Sequence, residues 1–356
     1  MTVPQAKVTM LGTKGSGKTT YLLGMYAVLS AGVQGHTLVT TDLDDDEDMA
    51  DAWYELCDNG RVPPATSTEP KLYSFIFRQD GETILTFDWE DYRGGAMDGN
   101  QPEATDAGRL QARLIESDSI YLVLNGTHLA GSPVVDERRD GVKRMTLARR
   151  MNAYLANTLS ERAQRGVQLP SITVLLTKAD MIRQASPRTP PEELMDQLCD
   201  LVQRLLPAAF EQRAGSRTLV CPVQLGAFGQ DMAGEDLTLD TSKVNPRNLA
   251  YPLIHSFLNL LDTNVRSDRF AAGRLQNRIT ESADDLEKYR KTFRSIFQPK
   301  YVASQTRAIQ DEREQLEKMQ ETVARMDTQV ARLVGRLEEA RIMNRVAVFE
   351  DGKRVV

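Results

Sequence analysis

Apolar residues recur along this chain in two rhythms, and the change from one to the other falls near residue 263. Before it, short runs of large apolar side chains alternate with longer amphipathic stretches. The runs are Val8-Thr9-Met10-Leu11 and residues 72–77, 83–89, 119–124, 172–176 and 219–223. Helical patterns lie between them at about 20–29, 102–116, 141–165, 191–206 and 248–262. One more helix is opened by the acidic stretch 42–48, favoured at a helix N-terminus by the dipole, runs through Met49, Trp53 and Leu56, and stops at Asn59-Gly60. Counted as a calcium loop from Asp44, that stretch fails, because Met49 stands where the sharp turn requires glycine. Strands alternating with helices predict a mostly parallel α/β sheet, helices on both faces, with ligands at the strands' C-terminal ends. Gln79-Asp80-Gly81-Glu82 between two strand-like runs predicts one antiparallel edge hairpin.

Past residue 263 the period becomes a heptad. Ala272, Leu275, Ile279, Leu286, Tyr289, Phe293 and Ile296 form one seam. Phe297-Gln298-Pro299 interrupts it, since proline does not continue a helix. A second seam places Ile309, Leu316, Val323, Val330 and Leu337 every seven residues, with Met319, Met326, Leu333 and Ala340 offset by three. This predicts a coiled-coil stalk over 264–345, an antiparallel helical hairpin, with pairing between chains as the alternative. Residues 346–356 read as a short hairpin tail, marginal if alone. The predicted organisation is therefore 1–263, 264–345 and 346–356.

Composition adds three constraints. At 356 residues with 41% hydrophobic content the chain supports a large core. No apolar run approaches the ~20 residues of a membrane span, and the first strand starts too near Met1 to leave room for a signal peptide. Cys57, Cys199 and Cys221 are scattered, as are His36, His128 and His255, which fits a reducing cytoplasm rather than a disulfide frame or a zinc site. Residues 266–345 hold 17 Lys and Arg against 13 Asp and Glu, so the acidic excess behind the net charge of −6 lies in the first 265 residues. The basic residues Arg138, Arg139, Lys143, Arg144, Arg149 and Arg150 lack an aromatic platform and read as a solvated helix face, not a nucleic-acid surface.

The chemistry lies in three motifs, each at the end of a predicted strand. Gly12-Thr13-Lys14-Gly15-Ser16-Gly17-Lys18-Thr19, between a strand and a helix, has the spacing of a phosphate loop. Its glycines let backbone N–H groups turn inward on a polyphosphate, and the helix dipole assists. Lys18 is placed for the terminal phosphates and Thr19 for Mg²⁺, with Thr20 next to it. The second motif is Asp91-x-x-Gly94. The third, Thr177-Lys178-Ala179-Asp180, names the base: a carboxylate at Asp180 accepts two hydrogen bonds from guanine's N1 and N2 edge, and adenine offers no such pair. Lys178 would cover the base, and Thr177 would tie this loop back to the phosphate loop.

With these residues in this order, the chain resembles the Ras-like, translation-factor-related (TRAFAC) class of GTPases over about residues 5–262. More narrowly it resembles the bacterial double-GTPase type of domain associated with conflict and signalling systems. The narrower likeness rests on residues 12–19, Pro63-Pro64-Ala65-Thr66, residues 91–95 and 177–180. The resemblance implies a phosphate-loop G domain, GTP or GDP with Mg²⁺ as ligands, and GTP hydrolysis. It places Asp91 on the metal through water, with Asp88 as runner-up, and Gly94 on the γ-phosphate. Thr66 is the first choice for the switch threonine in the metal shell and Thr68 the second. Gln224 and Leu225, where the family carries a small Ser-Ala pair, fall at the fifth motif beside the base.

One departure matters. The class places a water-orienting glutamine directly after the second motif's glycine, and here that position is Gly95. Unaided hydrolysis is therefore expected to be slow unless Arg93, Gln101 or a partner supplies the missing groups. The expectation is a GTP-gated switch coupled to its stalk, with a protein partner or self-association through the coiled coil. The alternatives are a nucleotide-stabilised coiled-coil scaffold and a phosphate-loop ATPase.

Overall fold

The computed structural model describes residues 3–33, 35–62, 71–91, 104–130, 140–228, 238–291 and 298–355. In chain order the elements are β1 (Gln5–Gly12), α1 (Lys18–Ser30), β2 (His36–Thr40), α2 (Leu43–Asn59), β3 (Lys71–Gln79), β4 (Glu82–Asp91), α3 (Ala104–Glu116) and β5 (Ser119–Asn125). There follow α4 (Gly126–Leu129), α5 (Asp140–Gln164), β6 (Ser171–Thr177), α6 (Ala179–Ala185), α7 (Pro191–Leu205), β7 (Arg217–Pro222), β8 (Gln224–Gly226) and β9 (Val244–Arg247). The chain finishes with α8 (Tyr251–Arg290), α9 (Pro299–Ile342), β10 (Ala347–Glu350) and β11 (Lys353–Arg354).

Nine strands form one sheet in the order β11-β10-β7-β6-β5-β1-β4-β3-β2. The five middle strands, from β7 to β4, are parallel. That explains why β5 and β6 read as unbroken apolar runs: strands covered on both faces bury nearly every side chain. One face packs Leu122, Val174 and Val220 against Leu114 of α3, Leu155 of α5 and Leu198 of α7. The other is aromatic, with Trp89 4.8 Å from Tyr121 and 6.2 Å from Tyr21 of α1, ring centroid to centroid.

Both edges are antiparallel, where the sequence pattern predicted a single edge hairpin. At Asp80-Gly81 the turn takes positive φ at both residues (50° and 84°), the mirror-image turn that matches strand twist. Beyond β3 lies β2, a strand hidden from the pattern because His36 and Thr37 break its apolar run. At the opposite edge β10 pairs with β7 and β11 with β10. The tail is thus not a separate marginal hairpin. Phe349 is buried with its ring edge-on to Phe210, centroids 4.8 Å apart, so the tail caps an otherwise open strand.

The acidic stretch behaves as a helix start. Asp42 caps α2 by accepting from the Asp44 N–H, and Gly60 closes it at φ 66°. α8 runs unbroken from Tyr251 to Arg290, through the change of composition near residue 263, with Pro252 in its first turn, where proline is tolerated. The chain divides into two compact units, Met1–Ser256 with Arg336–Val356, and Phe257–Gly335. In the second unit Ala272, Leu275, Ile279 and Leu286 of α8 share one apolar cluster with Ile309 and Leu316 of α9. The polar contacts run antiparallel: Arg269 meets Asp327, Arg278 lies 2.9 Å from Glu312, and Tyr289 meets Tyr301. These seams face each other within one chain.

Truncating Phe349 to Ala removes a buried ring, and denaturant titration is expected to show a loss of about 3–5 kcal/mol. His255, at the start of α8, is fully buried, with Nδ1 3.5 Å from Thr173 Oγ1 and no hydrogen-bond partner on Nε2 among the described residues. Burial, helped by Arg217, pushes its pKa from 6.5 down to about 3. Between those values the unfolded chain holds the extra proton. The His255 contribution is therefore complete above pH 6.5 and declines as pH falls towards 3, by up to ~1.4 kcal/mol per unit. A His255→Gln protein, titrated with urea from pH 6.5 to 4, should lose stability less steeply than wild type by about that slope.

Candidate nucleotide site

The turn from β1 into α1 is built from absent side chains. A Cβ on Gly12 would lie 2.7 Å from Ser16 Oγ and 2.9 Å from Val123 Cβ, so only glycine fits. Gly17, at φ 86°, is the left-handed residue from which α1 departs, and no side chain caps that helix. Lys18 is buried, and its Nζ donates to the carbonyls of Gly12 and Thr13, both at 3.0 Å, so the ammonium is held over the loop. Ser16 Oγ is buried without a hydrogen-bond partner among the described residues. An uncapped helix start, an ammonium and an orphan hydroxyl in one loop form a donor set that suits phosphate oxygens. Lys14 and Gly15 are exposed; Thr19 and Thr20 are half-buried in the first turn of α1.

The third motif meets this loop directly. Thr177 ends β6, and its hydroxyl donates to the Ser16 carbonyl at 2.6 Å, the tie expected from the sequence. Lys178 follows in the left-handed region at φ 51°, and Asp180 sits half-exposed in the first turn of α6. Val223 fixes the turn from below: its N–H donates to Leu176 O at 2.8 Å and its carbonyl accepts from the Ala179 N–H at 3.1 Å. Gln224 and Leu225 open β8 just beyond. The Leu225 side chain is packing material: it fills the space that a Cβ on Gly24 of α1 would need.

The metal candidates separate by register. Asp91 lies opposite Met10 on β1, two residues before Gly12, or about 7 Å along the strand. Its side chain is outside the described residues, as are Thr66, Thr68, Arg93, Gly94, Gly95 and Gln101. The runner-up, Asp88, lies opposite Lys7, about 16 Å back from Gly12. Its carboxylate accepts from Ser74 Oγ at 2.7 Å and Gln5 Nε2 at 3.2 Å. It is thereby held beside the N-terminal half of β1, away from the phosphate loop.

Two contributors were not singled out from sequence. Asn125 caps α4 by accepting from the Thr127 N–H at 3.0 Å, and a Cβ on Gly126 would collide with the carbonyl oxygens of Thr177 and Lys178. An Asn-Gly pair closing the apolar run 119–124 was the available signal. Asn248 and Leu249 were also missed. Tyr21 OH of α1 donates to Leu249 O at 3.1 Å, and Asn248 Nδ2 to Pro222 O at 2.9 Å, which fasten the segment entering α8 to α1 and to the end of β7.

Loop, sheet order and flanking helices define a phosphate-loop type of α/β fold. No family model matches the chain, and no curated protein matches it. Three solved structures are similar at low identity. A signal recognition particle receptor SRb-GTP/SRX complex from Chaetomium thermophilum matches over 56% of this chain and 79% of that one, with 15% identity and a TM-score of 0.31. A mutation variant of SsGBP matches over 62% and 49%, with 15% identity and a TM-score of 0.26. Sup35 complexed with GDP matches over 70% and 44%, with 14% identity and a TM-score of 0.28. The match spans less than half of the last two chains. The likeness is coarse and concerns the fold alone. No described helix is long and apolar enough to cross a membrane.

Thr177→Val keeps the shape and removes the donor, leaving the Ser16 carbonyl buried without it. Denaturant titration should show a loss of about 1–3 kcal/mol.

Proposed function

We propose that this chain is a guanine-nucleotide switch that hydrolyses GTP slowly unless assisted. The observation that carries the reading is the hydrogen bond from Thr177 to Ser16, which joins the candidate base-reading loop to the candidate phosphate loop. In this reading the amides of residues 12–19 and the Lys18 ammonium bind the phosphates. Thr19, Asp91 and Thr66 hold Mg²⁺, which when bound neutralises phosphate charge. Lys178 covers the base, Asp180 accepts from the guanine N1–H and N2–H, and Gln224 and Leu225 lend backbone to the base pocket. Gly94 donates its N–H to the γ-phosphate.

With Gly95 in the water-orienting place, the chain's own residues position water poorly. Arg93, or an arginine from a protein partner, would add ~10³–10⁵ in rate. The Tyr21 contact with Leu249 supports a route by which a change at α1 reaches the start of α8. A cytoplasmic setting follows from a soluble nucleotide pool as ligand.

Direct titration with GTP, GDP and ATP in the presence of Mg²⁺ tests the reading. Guanine nucleotides are expected to bind at least ~10²-fold more tightly than ATP, as two hydrogen bonds to a carboxylate allow. In an Asp180→Asn protein the amide N–H₂ would face the N2 group. GTP affinity should then fall by ~10² while xanthosine triphosphate, with oxygen at that position, gains. Equal affinity for ATP and GTP, or an unchanged Asp180→Asn profile, would remove Asp180 from the role and leave a phosphate-loop ATPase or a scaffold.

A further inference from the structure

The segment that leads into β9 is bonded on one side to β8 and on the other to the end of α2. On the first side, the Ala227 N–H donates to the Lys243 carbonyl at 3.0 Å, and β9 runs antiparallel to β8, with Val244 opposite Gly226 and Arg247 opposite Gln224. Asp240 shapes the approach to β9. Its carboxylate accepts from the Ser242 N–H at 3.2 Å and from Ser242 Oγ at 2.6 Å, which opens a single 3-10 turn over Thr241–Lys243. These bonds hold residues 240–243 on the strand pair that begins with Gln224 and Leu225.

On the second side, the Leu239 N–H donates to the Gly60 carbonyl at 2.8 Å, and Thr238 forms an antiparallel bridge with Arg61. Leu239 is buried, although it stands in a connection between strands. Gly60 is constrained twice. As the residue that closes α2 it turns left-handed at φ 66°, and a Cβ on it would also lie 2.2 Å from the Leu239 carbonyl oxygen. The chain leaves α2 through Gly60 and Arg61 and re-enters the sheet at Lys71, the first residue of β3. Lys71 lies opposite Asp91 of β4 and pairs with Asp45 at 3.1 Å and Asp48 at 3.3 Å. Thr66 stands midway in sequence between Arg61 and Lys71. The point of departure towards Thr66 is thus fixed from the base side of the candidate site, and the point of return from the metal side.

We infer that Leu239 is a positioning residue for the triphosphate-bound state. Through Gly60 it sets where the chain departs for Thr66, so the complex with Mg²⁺ and a γ-phosphate depends on the strand pair beside the base. The inference rests on the guanine-nucleotide reading given above. A triphosphate whose metal shell needs Thr66 loses apparent affinity in proportion to the molecules in which that departure point is displaced. A diphosphate, which makes no use of Thr66, keeps its affinity.

Titration with GTPγS and with GDP, both with Mg²⁺, tests it on the full chain. Gly60→Ala sets a methyl group against the Leu239 carbonyl. GTPγS affinity is expected to fall ~3–10-fold, the worth of about one hydrogen bond, while GDP affinity stays within about twofold of wild type. A second protein carries Arg61→Cys and Thr238→Cys, with the half-buried Cys57 changed to serine so that it cannot compete. Residues opposite each other in an antiparallel bridge stand at a separation that a disulfide spans. Adding Gly60→Ala to this oxidised protein should recover most of the GTPγS affinity, and dithiothreitol should remove it again. Circular dichroism melting checks that each protein folds. Equal loss of GTPγS and GDP affinity in Gly60→Ala, no loss of either, or no recovery in the oxidised protein overturns the inference and leaves Leu239 with packing alone. A wild-type protein that prefers neither guanine nucleotide to ATP overturns the proposed function itself, and the inference falls with it.

Discussion

The tightest constraint on the molecule is the space into which the chain turns after β1. Gly12 faces Ser16 and Val123 at distances that exclude even a methyl group, and Gly17 must turn left-handed before α1 can begin. These demands fix where β1 ends, and β1 lies between β4 and β5, both parallel to it. Burial of Lys18 follows from the same turn. Its ammonium is taken out of water, and two loop carbonyls at 3.0 Å compensate for part of that cost.

From that turn the packing leads outward through α1. Tyr21 sits in the aromatic layer with Trp89 and Tyr121, and burial raises its pKa well above the ordinary phenol value. Its hydroxyl is therefore a neutral donor, spent on the Leu249 carbonyl. One turn along, Gly24 lets Leu225 reach the helix surface. Ser256, two turns into α8, completes a buried chain of hydroxyls with Ser119 and Tyr121 at 2.7 and 2.9 Å. The helix that follows the loop, the strand next to it and the root of α8 thus share one buried set of contacts.

How much of this was legible depends on whether a residue's role shows in its own side chain. The parallel strands announce themselves because double burial leaves unbroken apolar runs, and the heptads of α8 and α9 because each seam is long. Thr177 was legible as a tie because it opens the Thr177-Lys178-Ala179-Asp180 motif at a strand end. β2 was not, since His36 is buried against the Phe77 ring, where a polar letter hides an inward position. Asp88 misled for the converse reason: a carboxylate following aromatic residues looks like a strand end, yet β4 continues three residues further. The tail was read as weak because its four-residue strand draws its burial from β7 and Phe210, far away in sequence. Composition near residue 263 changes without any backbone feature, because a helix can exchange one apolar seam for another and stay a helix.

The two halves of the candidate site come from strands that are not neighbours. β5 separates β1 from β6, so the loops after them start about 10 Å apart. For one ligand to touch both, the strand between must end without filling the gap. β5 does so with Asn125-Gly126: the asparagine turns the chain into a short helix, and the glycine lets the Thr177 and Lys178 carbonyls pass where a Cβ would stand. The Thr177 hydroxyl then donates to Ser16 O and also lies 3.3 Å from the Leu124 carbonyl of β5, so the ends of β5 and β6 and the loop after β1 meet at one oxygen atom. Lys18 belongs to this floor too, since its ammonium donates to the Gly12 and Thr13 carbonyls. Gly12 and Gly126 admit no larger residue, because a Cβ on either would stand where backbone or a buried side chain already is. The floor therefore rests on its glycines, and the chemistry is carried on top of it.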